Sequence, residues 1–195
     1  MKRLAIAAFL AALPALASAE DTVIGEASGN WAGPSNQGFF YRAELILEKP
    51  NGAFDDFVRL RIFQGTDAIP SASGAPQLDN PDITMRLIGV GEQRLETGAD
   101  GALILATEGA DETAEFAERI VIRFIDNQFT VVGYFLAIDE AEFEPYSCEA
   151  DLWNGETVFN GARWPEARRM GFEGLNASAW SFRLAVERGA CPPLL

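Results

Sequence analysis

The stretch RIVIRFIDNQFTVVGYFLAI, residues 119–138, decides the fold class. Ile120, Ile122 and Phe124 alternate with Arg119, Val121 and Arg123. A period of two residues places alternate side chains on opposite faces of an extended chain. Asp126-Asn127 then supplies the residue types that tolerate positive φ in a tight turn, and Phe129, Val131, Gly133 and Phe135 return with the same period. The stretch predicts an antiparallel hairpin.

The same pattern recurs on both sides. From Phe39 to Glu48, the residues Phe39, Tyr41, Ala43, Leu45 and Leu47 oppose Arg42, Glu44 and Glu48. After Lys49-Pro50-Asn51-Gly52, the alternation of Val58, Leu60 and Ile62 with Arg59 and Arg61 completes a second hairpin. Gly98-Ala99-Asp100-Gly101 predicts a turn between strands at 83–90 and 102–106, and Asn154-Gly155 one between strands at 146–153 and 157–159. Trp180, Phe182, Leu184 and Val186 alternate with Ser181, Arg183 and Glu187, which predicts a final strand. Helical signals are limited to Pro165–Met170, with Pro165 suited to a first turn and Gly171 to a stop, and to a possible turn at Thr113–Glu118. The expectation is an all-β fold, a single antiparallel sandwich or small barrel of about seven to nine strands with one or two short helices. Gly65–Asp82 carries Pro70, Pro76 and Pro81 and no strand signal, so it reads as a long binding loop or a disordered insertion.

Residues 1–19 read as a secretory signal peptide: Lys2 and Arg3, an apolar run from Leu4 to Leu16, and a small-residue cleavage site at Ala17-Ser18-Ala19. Residues 20–195 are then one β-rich domain, exported to the periplasm or beyond. With no cysteine at the cleavage junction, no lipid anchor is expected. No later stretch reaches eighteen consecutive apolar residues, so no membrane insertion is expected. Cleavage removes two of the fifteen basic residues and none of the twenty-nine acidic ones, leaving a net charge of −16. Such a field repels nucleic acid. Cys148 and Cys191 are expected to pair in an oxidising compartment.

Val131-Val132-Gly133-Tyr134, followed by Asp151-Leu152-Trp153-Asn154-Gly155-Glu156, resembles the end of a group of uncharacterised bacterial periplasmic proteins. There, a strand reading roughly leucine, isoleucine, glycine, tyrosine precedes one reading asparagine, leucine, leucine, threonine, glycine and a basic residue. Asp151, Asn154 and Glu156 depart from that pattern, and Cys148 is additional. The resemblance implies an exported β-rich protein and carries no site residues. Gly29-Asn30-Trp31 with Arg183 is also similar to the lipocalins. That likeness implies a closed barrel around a small apolar ligand, with the arginine stacked over the indole.

The chain has no histidine. Serine–histidine–acid and cysteine–histidine catalysis and histidine-ligated zinc are therefore excluded within it. No glycine-rich phosphate loop precedes a helix, and no cofactor is expected. What remains is carboxylate chemistry of the glycosidase kind. The candidates are Asp111, Glu112, Glu115, Glu118, Asp139, Glu140, Glu142, Glu144, Glu149 and Asp151. Asp67, Asp79 and Asp82 are the acids to consider for calcium, which takes oxygen ligands. Arg163, Arg168 and Arg169 beside Trp164 form a basic cluster suited to an anionic group, and Trp153 with Trp164 flanks the Asn-Gly turn as a possible aromatic platform. The leading expectation is a non-enzymatic binding or envelope-associated domain, its partner a small molecule or an envelope protein; a lipocalin-like carrier and a glycoside hydrolase are the alternatives.

Overall fold

Asp126 and Asn127 both adopt positive φ, 50° and 61°, and turn strand β7 (Ala114–Ile125) back into β8 (Gln128–Glu140). Two successive residues in this region match the right-handed twist of the flanking strands. The computed structural model describes residues 22–31, 39–48, 57–84, 91–110, 113–171 and 175–194. The predicted signal peptide lies outside them.

Among the described residues there are eleven strands and one helix. The remaining elements are β1 (Thr22–Asn30), β2 (Phe40–Glu48), β3 (Phe57–Gly65), β4 (Leu78–Asn80), β5 (Glu92–Thr97), β6 (Leu103–Ala110), β9 (Tyr146–Asp151), β10 (Glu156–Phe159), β11 (Ala162–Arg163) and α1 (Phe182–Glu187). They form two open antiparallel sheets, one of four strands ordered β1-β2-β3-β4 and one of seven ordered β11-β10-β9-β8-β7-β6-β5. The fold is an all-β sandwich.

The inner faces meet in one core. Tyr41, Ala43, Leu45, Leu60 and Ile62 of the smaller sheet pack with Leu103, Leu105, Ile120, Ile122, Val131 and Leu136 of the larger. Full burial of each such aliphatic side chain is worth about 1.5–3 kcal/mol, so the alternating positions hold the register. The outer face of the smaller sheet is charged: Glu26, Glu44, Arg61 and Asp79 stand opposite one another in one row across its four strands. Arg42 bonds Glu26 and Glu44, and Arg59 bonds Glu48 and Asp79.

Four strands cannot cover seven. The inner face of β8 to β10 is covered instead by the C-terminal segment. Asn176 bridges Thr130, and Trp180 and Phe182 pack on Tyr134 at ring distances of 5.5 and 6.0 Å. The Thr157 hydroxyl donates to the Ala190 carbonyl (2.8 Å), the Tyr146 hydroxyl donates to that of Pro192 (2.8 Å), and Cys148 is disulfide-bonded to Cys191. The expected pairing of the two cysteines is present.

Several local expectations are corrected here. Residues 182–187 form a helix, not a strand. The Ser181 side chain accepts from the Leu184 amide, and Gly189 at φ 76° stops the helix. These two caps outweigh a six-residue alternation, because they satisfy end groups that an isolated strand would leave open. Residues 165–170 are not helical; apart from one turn from Trp164 to Ala167 they hold no regular structure, and the Arg168 amide ties them to the Gly189 carbonyl. Thr113–Glu118 is not a helical turn, because from Ala114 onward the segment is the start of β7, paired on both sides. The Gly98–Gly101 turn joins β6 to β5 at 92–97 rather than to a strand at 83–90, of which residues 85–90 lie outside the described residues. On β8 a bulge at Val132 shifts the alternation, so that Tyr134 and Leu136, rather than Gly133 and Phe135, continue the buried face.

The long 65–82 segment is a loop over residues 66–77 and is tied down at its C-terminal end. It folds back as β4 on β3, and buried Asn80 donates from Nδ2 to the carbonyls of Ala177 (2.7 Å) and Trp180 (2.9 Å). Asn80→Ala would leave those two buried carbonyls without a donor, and should lower unfolding free energy by about 2–3 kcal/mol in chemical denaturation. A change under about 0.5 kcal/mol would show that Asn80 does not hold the C-terminal segment to the smaller sheet.

Candidate functional site

The bulge that re-phases β8 also shapes its outer surface. Val132 and Gly133 are successive residues on that face, and Gly133 contributes no side chain. A bulge sharpens local twist, and the missing side chain deepens the resulting dip. Around it lies an open groove of about 800 Å³. Its apolar lining is Val121, Ile125, Val132, Val158 and Trp153; its charged side chains are Arg119, Arg123, Arg163, Glu149, Asp151 and Glu156.

Strand register places these groups. One row across the larger sheet reads Arg119, Phe135, Glu149, Val158, Arg163 from β7 to β11. The next reads Val121, Gly133, Asp151, Glu156. The three carboxylates thus sit together on β9 and β10 with an arginine to either side. Arg123 pairs with Asp100. Asp151 caps its own turn, accepting from the Asn154 amide (2.9 Å) and Nδ2 (2.7 Å). Among the described residues Arg119, Arg163, Glu149 and Glu156 hold no ion pair or side-chain hydrogen bond, and all four are exposed. Beyond the groove the first row continues to Arg94, whose guanidinium is taken up by Glu96 and Glu108 and holds the Glu108 carboxyl below the usual carboxylate range.

Of the residues singled out from sequence, Trp153, Arg163, Glu149 and Asp151 line this groove. Trp164, Arg168 and Arg169 do not. The Arg168 side chain lies along Gly189, and the Arg169 backbone backs the Gly155 turn. The basic cluster is therefore divided, because its segment is anchored backbone-first. Trp31 stacks on Tyr41 at 4.1 Å, near Phe124 and Phe129. Arg183 is 86% exposed and faces Glu187, so it does not cover the indole as the lipocalin likeness implied. The helix caps turn it outward, and the sheets do not close into a barrel. Asp67, Asp79 and Asp82 are not brought together: Asp79 is bound to Arg59, and the described residues hold no group of three or more acidic or sulfur side chains able to share a metal ion. Arg119, Arg123, Glu156 and Gly133 were missed as site residues. The available signal was the polar positions of adjacent strands read across the sheet instead of along the chain.

Fold and groove together define the class: an antiparallel β-sandwich with an open site on one outer face. No family model, curated protein or solved structure matches this chain.

Proposed function

We propose that this protein is an exported, non-enzymatic binding domain that takes its ligand on the outer face of the larger sheet. The observation that carries this reading is the groove itself, which joins an apolar floor to unpaired charged groups held on strands. Side chains fixed on a rigid sheet lose little freedom when they bind. The volume falls in the range of small-ligand sites. A disulfide supports export, since such bonds persist in oxidising compartments.

The test fills the dip. A Cβ at Gly133 would meet only Val121, at 3.5 Å, an ordinary contact. Gly133→Leu should therefore keep stability within about 1 kcal/mol while occupying the floor. Ligands found in panels of glycans, peptides and small anions should perturb backbone resonances of β7 to β10 and lose binding to Gly133→Leu. Ligands that map elsewhere, or that bind the variant equally, would refute the reading.

A second reading draws on the same carboxylates. Glu149, Asp151 and Glu156 share one groove, as the two acids of a glycosidase must. All three are exposed, whereas the acid of such a pair needs a partly desolvated setting to keep its proton. This favours binding over hydrolysis. Release of reducing ends from a glycan, abolished by Glu149→Gln or Glu156→Gln, would reverse that preference.

A further inference from the structure

We infer that the ligand of the groove is an uncharged oligosaccharide lying across strands β7 to β11; this rests on the binding reading above. Three arginines and three carboxylates line the groove in a chain whose net charge is −14. A polyanion would meet Glu149, Asp151 and Glu156 as well as the field of the whole protein, and a polycation would meet the arginines. Guanidinium groups only donate and carboxylates only accept, whereas a hydroxyl does both. A ligand dense in hydroxyls and without net charge is thus matched at once to the donors and acceptors of the rim that hold no partner among the described residues, Arg119, Arg163, Glu149 and Glu156. Sugar rings also present apolar C–H faces, for which Trp153, Val121, Val132 and Val158 supply the complementary surface.

The backbone narrows the choice further. Over residues 115–122 of β7, 133–138 of β8, 148–151 of β9 and 158–159 of β10, the strands are paired on both sides and their N–H and C=O groups are committed to the ladders. An extended peptide gains affinity by adding to a free strand edge, and among the described residues the only edge the groove reaches is the two-residue β11. Recognition here falls to side chains alone. The row from Arg119 to Arg163 spans four inter-strand steps, about 19 Å at the usual strand spacing, which is longer than one sugar ring.

The experiment uses the purified chain without residues 1–19, the form expected after export. Calorimetry is run against neutral hexasaccharides (α- and β-linked glucans, a mannan and an N-acetylglucosamine series), their monosaccharides, a uronic-acid hexasaccharide and peptides selected from a random library. At least one neutral hexasaccharide should bind, with its monosaccharide at least about tenfold weaker. Its Kd should change by less than about twofold between low and physiological salt, because no net charge is neutralised. Gly133→Leu should abolish binding, and Arg119→Gln and Arg163→Gln should each weaken it about tenfold, with unchanged melting temperatures separating lost contacts from lost folding. Preference for the uronic-acid chain with steep salt dependence would overturn the assignment to an uncharged glycan. A peptide bound instead, and lost on Gly133→Leu, would overturn the glycan assignment and leave the binding reading standing. Absence of any ligand sensitive to Gly133→Leu would overturn both.

Discussion

Replacing Cys148 and Cys191 with alanine should lower the free energy of unfolding by about 4 kcal/mol. The bond joins residues 43 apart, and closing a loop of that length removes much of the freedom of the unfolded chain. Both cysteines are buried, so alanine leaves no unsatisfied polar group. The tail they anchor covers the inner face of β9 and β10, the strands that carry Glu149, Asp151 and Glu156 on their outer face. For a domain of this size the melting temperature should fall by about 8–16 °C, and ligand affinity at the groove should fall with it. Scanning calorimetry of the double variant is the direct measurement. A fall below about 3 °C would mean that hydrogen bonds from Thr157 and Tyr146 hold the tail without the disulfide.

The second large effect is a steep loss of stability in alkali. The chain has three tyrosines, Tyr41, Tyr134 and Tyr146, and all three are buried. Burial is the main cause that pushes each phenol above its ordinary value. Tyr134 is pushed well above it: beyond its burial, its hydroxyl donates to Glu118 at 3.0 Å, and ionising it would set a phenolate against that carboxylate. For Tyr41 the charge of Asp100 adds to burial, while the hydrogen bond with Thr97 partly opposes it. A folded-state pKa raised above the unfolded one contributes stability that is complete below the unfolded value, near 10, and is lost as pH rises above it. Each phenol that stays protonated only in the folded state adds a slope of about 1.4 kcal/mol per pH unit. Phenolate absorbance should therefore appear together with the loss of near-ultraviolet circular dichroism, all three tyrosines ionising in one unfolding step. Reversible ionisation of any tyrosine near pH ~10 with native dichroism retained would contradict this.

How much of this was legible in the sequence varied from element to element. The β7–β8 and β9–β10 hairpins were readable because Asp126-Asn127 and Asn154-Gly155 are local devices: their backbone preferences act within the turn itself. The strand at Glu92–Thr97 was not readable, because its charged residues carry no alternation and its pairing is dictated by β6. The Phe182–Glu187 helix was misread for the opposite reason, since its half-buried side chains alternate while Ser181 and Gly189 set the conformation. Within the groove, Trp153, Glu149 and Asp151 were noticed singly. Arg163 was noticed only as part of a basic cluster and Arg119 not at all; both stand beside them through register alone, across the five strands β7 to β11.

One periodicity, of two residues, and a few turn dipeptides in the sequence determined that this chain is an antiparallel β protein, and its two cysteines that the end of the chain is bound back to the middle. Period-two burial and turn geometry act over a handful of residues, so a reader of the chain can recover them. Only the tertiary structure decided that the sheets stay open, that the C-terminal segment covers what four strands cannot, and that a bulge at Val132 and an absent side chain at Gly133 make the groove. Those features depend on which strands lie side by side and in what register, and that is set by the packing of residues far apart in sequence.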